Sequence, residues 1–220
     1  TEEKKKYSIS HPDLYPNVAI LDGNITSKLP LDISVTTALD ALSHSFEAIW
    51  NKNANPKSTN YAIEAICLIL TNIEKLKIDP HNIGLRNILL KAANLAGLAF
   101  SNTKTAAAHS ISYPLTSHYG IPHGIASSLP LIPLLHINKK KIRKELNLII
   151  DKLKISNISE LELKINNIPK GVIKYSLSEW GVKKNEVDLI VPECFTKSRM
   201  ENNIVHLSLS EGLDNNFPFG

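Results

Sequence analysis

Apolar residues recur at steps of three and four through most of this chain, the period of a helix with one buried face. Leu39, Leu42, Phe46 and Ile49 predict a first long helix over residues 36–51, ended by the Asn-rich run to Pro56. Ser58 or Thr59 caps a second helix to about residue 77, along Ala62, Ile63, Ile66, Ile69, Leu70 and Ile73. Asp79-Pro80 breaks it, and a third helix covers roughly 83–102. Ala92, Ala93, Ala96, Gly97 and Ala99 allow this third helix to approach its neighbours closely.

Residues 105–119 read as another helix, stopped by Gly120 and Pro122. The apolar run from Gly124 to His136 is interrupted by Pro130 and Pro133, so it is kinked or split in two. Further amphipathic helices follow at Leu146–Leu153, at Ile158–Ile165, at Gly171–Trp180 with Gly181 as its C-terminal cap, and from Asn185 through Val191. Only Val18-Ala-Ile-Leu21 has strand character, just ahead of a Gly23-Asn24 turn. The fold class is therefore all-α and multi-helix, with at most one short N-terminal strand. Residues 1–35 form a connector or edge segment and residues 36–220 a helical domain.

Composition narrows the function classes. The 220 residues suffice for one domain of good size or two small ones, and the net charge is only +4. Basic residues cluster at Lys139-Lys140-Lys141 with Arg143 and Lys144, and at Lys4–Lys6, without interleaved aromatics. That pattern reads as a solvated helix face and not as a nucleic-acid surface. Two distant cysteines, Cys67 and Cys194, imply no disulfide framework and fit a reducing cytoplasm. No secretory signal and no membrane-length apolar stretch stands out, so no membrane partner is expected. The chain opens on Thr1, not Met, which fits a piece of a longer chain.

Chemistry concentrates in two stretches. Asp40 and His44 stand four apart, which on a helix stacks a carboxylate and an imidazole one turn apart. His109, His118 and His123 fall within residues 105–124, with His109 inside one predicted helix and His123 at the start of the next. Helix–turn–helix geometry can turn both rings toward one point. Asp40, His44, His109 and His123 offer one oxygen and three nitrogens, a set that suits Fe(II) or Zn(II) better than Ca(II) or Mg(II). Spacing alone leaves the plain reading open, in which Asp40 and His44 are a simple side-chain pair and His123 a turn residue. His136 reads as a surface or capping residue.

The run Asp40-Ala-Leu-Ser-His44-Ser-Phe-Glu47, with His109-x3-Tyr113-Pro-Leu and Gly120-Ile-Pro-His123-Gly124, resembles the iron-containing (group III) alcohol dehydrogenase family. The upstream stretch Pro12 to Asp22, then Ile25-Thr26 and Leu29-Pro30, matches that family's entry into its C-terminal, helical, dehydroquinate synthase-like domain. Phe195 to Asn203 resembles its late Asn-Asn element, and the similarity fades after Leu209 into the turn-like Gly212–Gly220 end. The resemblance implies that Asp40, His44, His109 and His123 bind the metal. It further implies reversible hydride transfer between a small alcohol or aldehyde and NAD or NADP, the metal polarising the substrate oxygen. Ile25 and Thr26 become candidate contacts for the nucleotide, although a capping turn explains them equally.

Two departures bear on that reading. Tyr113 stands where many members carry another histidine, in a Ser-Tyr-Pro-Leu-Thr run that looks like the phosphonoacetaldehyde reductases of the family. Tyr113 is a candidate to bond substrate, relay a proton or wall the pocket, and His118 is a candidate pocket residue or else an exposed one. A small, phosphonate-bearing aldehyde is the substrate this implies. The second departure is that no Gly-x-Gly-x-x-Gly loop occurs, so the nucleotide-binding half is expected elsewhere and the chain is expected to be inactive alone. An exposed apolar face left by that half leaves room for a homodimer. Alternatives are a truncated non-catalytic remnant, and a dehydroquinate synthase-like metal-dependent lyase domain, which usually has glutamate where Asp40 stands.

Overall fold

A long helix, α2, forms the spine against which four others pack. It runs Leu31–Ile49, five residues earlier than the apolar period suggests. Pro30 leads into it with φ −51°, and the hydroxyl of Ser34 donates back to the Pro30 carbonyl at 2.9 Å. In the computed structural model, residues 11–208 are described. The Lys4–Lys6 cluster and the Gly212–Gly220 end lie outside the described residues.

Ahead of α2, the short helix α1 (Gly23–Thr26) is capped by the Asp22 side chain. It packs on α4 (Ile83–Thr103), and the Gly23 N–H donates to Asn87 Oδ1 at 2.6 Å. Arg86, buried in the first turn of α4, donates to the carbonyls of Pro80 and Leu29 and to Ser34 Oγ. Through these bonds the part of the connector from Asp22 to Pro30 is tied to the helical body. Val18 to Leu21 forms no strand: Val18 and Ile20 are 76% and 85% exposed, and no strand partner lies beside them among the described residues. The single β-type pairing among the described residues is the isolated bridge between Asn51 and Asn203.

α3 spans Pro56–Ile78. Its cap is Asn55, not Ser58 or Thr59: Pro56 occupies the first helical position, Asn55 accepts from the Ser58 N–H, and Ser58 Oγ accepts from the Asn55 N–H. α3 and α4 pack against each other and both against α2. α4 has the length and apolarity of a membrane span, with a mean hydropathy of 1.2, which the sequence reading passes over. Ala92, Leu95, Ala96 and Ala99 are buried in the common core, while Ile83 and Leu98 are exposed.

α5 (Ala107–Tyr119) ends at Gly120, whose φ of +66° makes the left-handed cap that the sequence foreshadows. The proline-interrupted run splits into α6 (His123–Ser128) and α7 (Leu131–Asn138). α8 (Arg143–Leu153) and α9 (Ile158–Asn167) follow the predicted amphipathic pattern. The helix expected over Gly171–Trp180 is absent. After Pro169 and the left-handed Gly171 the backbone turns, and only Ser178–Trp180 makes a short 3-10 turn, while Glu179 accepts from the Tyr175 N–H. α10 (Lys184–Ile190) starts ahead of Asn185, because Glu186 reaches back to the Lys183 N–H. α11 (Lys197–Met200) is four residues long.

Candidate metal centre

Three helices bring one carboxylate and three imidazoles together. Asp40 and His44 project from α2, His109 from the first turn of α5, and His123 opens α6. α6 lies against α2 because Gly124 has no side chain: a Cβ there would sit 2.2 Å from the Thr36 carbonyl oxygen. Asp40 Oδ2 is 3.6 Å from His44 Nε2, and Asp40 Oδ1 is 3.6 Å from His109 Nε2 and 3.8 Å from His123 Nε2. These separations are too long for hydrogen bonds. They fit the spacing of ligands about 2.1 Å from one tetrahedral ion, which stand about 3.4 Å apart. Ligand atoms of Asp40, His44 and His109 all lie within 4.8 Å of one another, a set that does not include His123, whose Nε2 approaches it through Asp40.

The ring orientations are set from behind. Glu47, fully buried on α2, accepts from the His109 backbone N–H at 3.1 Å, and its other oxygen lies 2.6 Å from His109 Nδ1. Nδ1 therefore carries its proton toward Glu47, and Nε2 faces Asp40. His109 Nε2 is buried and has no hydrogen-bond partner. Ser112 Oγ donates to the His109 carbonyl and lies 3.5 Å from His123 Nδ1, which favours the same tautomer for His123. Ser127 Oγ donates to Asp40 Oδ1 at 3.0 Å. His44 is stacked between Phe100 and His109, with ring centroids at 4.1 and 4.0 Å.

Electrostatics match a site built for a cation. Burial pushes the Asp40 carboxyl up, yet the close approach of His109, with His44 and His123, holds it well below the usual carboxylate range. Burial, aided by the charge of His109, drives His44 down to about 3, so it stays neutral. Burial also pulls His109 down, but Glu47 and Asp40 outweigh it and raise it to about 9. Glu47 itself is lowered: burial pushes it up, and the charge and hydrogen bonds of His109 pull it further down.

The remaining sequence candidates fall in different places. Tyr113, one turn after His109, lies nearly parallel to the His123 ring, 16° and 6.5 Å away, and forms one wall of the cluster. His118 stands near the far end of α5, about 13 Å along the helix from His109. It is exposed and paired with Glu193 at 2.8 Å, so the structure sets it apart from the cluster. Ile25 is 80% exposed on α1, and Thr26 lines a cavity of about 90 Å³ with Leu29, Thr37 and Arg86. His136 pairs with Glu162 on the surface at 2.9 Å. Sequence reasoning gave no role to Glu47, Phe100, Ser127 or Gly124. Glu47 was open to detection, since Asp40, His44 and Glu47 are spaced four and three apart and share one helix face.

Residues 34–211 match the profile of the Fe-containing alcohol dehydrogenase family, C-terminal part. The chain is 33% identical over 161 residues to the 1,3-propanediol dehydrogenase of Klebsiella pneumoniae, covering 73% of this chain and 39% of that protein. It is 31% identical over 137 residues to the phosphonoacetaldehyde reductase of Streptomyces viridochromogenes, covering 62% of this chain and 35% of that protein. The solved structure of a sulfoacetaldehyde reductase from Bifidobacterium kashiwanohense, in complex with NAD+, superposes with a TM-score of 0.83 at 27% identity. That match covers 92% of this chain and 54% of the other. The chain thus spans roughly a third to a half of the length of the proteins it matches.

Proposed function

Since the chain belongs to the Fe-containing alcohol dehydrogenase family, whose C-terminal helical part it carries, we propose that Asp40, His44, His109 and His123 hold one divalent ion. Fe(II) and Zn(II) both suit this donor set. The reaction is NAD- or NADP-dependent interconversion of a small alcohol and its aldehyde, with the nucleotide carried mainly by a further domain. The observation that carries the reading is the buried, unpartnered Nε2 of His109, turned toward Asp40 by the Glu47 bond behind it.

A bound ion supplies Lewis acidity toward the substrate oxygen. The chain's own residues do the rest. Glu47 keeps one His109 proton on Nδ1, so that Nε2 presents a lone pair once its own proton is displaced. Ser127 orients Asp40 and Ser112 orients His123. Phe100, stacked on His44, covers that ring from water on one side. Tyr113 walls the His123 side, where it can donate a hydrogen bond to the substrate. Ile25 and Thr26 are assigned as contacts for the nucleotide, with the exposed side of α1 facing it. The Ser112-Tyr113-Pro114-Leu115-Thr116 run favours an aldehyde with an anionic head group. So do the similarities to a phosphonoacetaldehyde reductase and a sulfoacetaldehyde reductase.

Elemental analysis tests the site directly. The purified chain should contain close to one iron or zinc, and Asp40→Ala, His109→Ala and His123→Ala should contain none. A parent chain that stays empty after addition of Fe(II) or Zn(II), or a variant that keeps full metal, would sink the assignment.

The titration of His109 adds a pH dependence. With its value raised to about 9, the metal-free chain carries a proton on Nε2 at neutral pH, and the ion must displace it. Zn(II) affinity is therefore expected to rise about tenfold per pH unit between about pH 7 and 8.5 and to level off above about 9. Competition titrations with a chelator at several pH values read this out, and a flat profile would contradict it.

A further inference from the structure

We propose that Phe100 is a positioning residue for the metal centre: its ring, closing on His44 from the last turn of α4, holds that imidazole in the plane in which it faces the ion. The proposal deepens the reading above and rests on it for the ion itself. α4 supplies no ligand, and no spacing in the chain connects Phe100 to the Asp40-x3-His44 pair.

His44 differs from the other three ligands on the side away from the cluster. His109 Nδ1 is held by Glu47 at 2.6 Å, Asp40 Oδ1 accepts from Ser127 at 3.0 Å, and His123 Nδ1 lies 3.5 Å from Ser112 Oγ. Nothing comparable stands behind His44, whose Nδ1 is buried and has no hydrogen-bond partner. A ligating imidazole ordinarily has such a partner, and that partner fixes the orientation of the ring.

Stacking takes the place of the missing bond. The Phe100 ring centre lies 4.1 Å from that of His44, with 17° between the planes, and the His109 ring lies 4.0 Å away at 27°. Two rings this close to one imidazole, and this nearly parallel to it, cannot share a face without overlapping. His44 is therefore sandwiched, and tilting it out of plane drives its edge into Phe100 or His109. His109 is itself fixed by Glu47, so Phe100 closes the open face.

The gap that receives His44 is set by the joint between α4 and α5, since Phe100 and His109 are only nine residues apart. The joint turns at Lys104, whose φ of +65° and ψ of 175° form a conformation that a residue with a Cβ rarely adopts. Its neighbours hold it there. The Lys104 N–H donates to the Phe100 carbonyl at 2.6 Å, and the Lys104 carbonyl accepts from Asn51 Nδ2 at 3.1 Å and from Thr103 Oγ1 at 3.0 Å. Asn51 is buried just beyond the end of α2, the helix that carries His44. The middle ring and both outer rings thus belong to one frame, as a precise site requires.

The experiment uses the whole 220-residue chain and compares the parent with Phe100→Leu, which keeps an apolar side chain but no flat face, and Phe100→Tyr, which keeps the ring. Four quantities are read: Zn(II) affinity by chelator competition, the visible spectrum of added Co(II), 13C relaxation of the His44 ring in the metal-free chain, and the unfolding midpoint. Phe100→Leu is expected to bind Zn(II) about tenfold more weakly, as when the support behind a ligand is removed. Its Co(II) band should lose intensity as water replaces His44, and its His44 ring should become mobile. Phe100→Tyr should match the parent in all three. Equal Zn(II) affinity in the parent and Phe100→Leu, a Tyr variant as weak as the Leu variant, or a His44 ring equally rigid in all three chains would overturn the proposal. So would an affinity loss that only follows a fall in unfolding midpoint shared by both variants. A parent that binds neither ion refutes the metal centre alone, and the relaxation of the metal-free His44 ring then decides the role of Phe100.

Discussion

Replacing Glu47 with alanine is expected to remove about 3–5 kcal/mol of folding stability, the loss typical of breaking a buried charge pair from one side. Glu47 is fully buried, and its two oxygens hold the backbone N–H and the Nδ1 of His109 at 3.1 and 2.6 Å. Alanine leaves both donors in a dry interior and opens a cavity beside them. Urea unfolding of the metal-free chain measures the effect, and a change below about 1 kcal/mol would mean that water replaces the carboxylate. Glu47→Gln separates stability from chemistry. Glutamine keeps the volume, but its amide NH2 can present a donor to Nδ1, which shifts the His109 proton onto Nε2 and into the metal cluster. Metal affinity is then expected to fall about 10- to 100-fold, the usual penalty for disturbing a carboxylate behind a ligating histidine. A Gln variant that binds Zn(II) like the parent would show that Glu47 serves folding only.

Gly124→Ala is expected to cost about 3 kcal/mol and to weaken metal binding as well, though it alters no ligand. The added Cβ would meet the Thr36 carbonyl oxygen at 2.2 Å and Asp40 Cβ at 3.1 Å. The first of these is backbone in the middle of α2 and cannot rotate away, so α6 has to shift as a unit. α6 carries His123 at its first residue and Ser127, which donates to Asp40 Oδ1. Lifting it therefore moves one ligand and the orienting partner of another. The measurement is a paired one, unfolding midpoint and Zn(II) affinity on the same variant. Loss of stability with full metal affinity would show that α6 re-seats without moving His123.

Sequence alone was informative wherever chemistry is local. Helical periodicity, the Gly120 boundary and the Asp40-x3-His44 pair depend on neighbours within a turn or two, and the all-α architecture follows from them. Periodicity failed over Gly171–Trp180, where Ile173 and Leu177 pack onto the core one by one without a shared helix, because local Gly and Glu179 contacts override the apolar spacing. It failed over Val18–Leu21 because a strand requires a partner that no local pattern supplies. Candidate ligands were visible as residue types, and the motif resemblance joined them. Their convergence was decided by the packing of α5 and α6 on α2, since the distance between His109 and Asp40 depends on three helices and on the missing side chain of Gly124. The same holds for the Glu47 bond that sets the His109 tautomer and for Phe100 over His44: each contact joins residues more than fifty positions apart, and only tertiary packing brings such residues together.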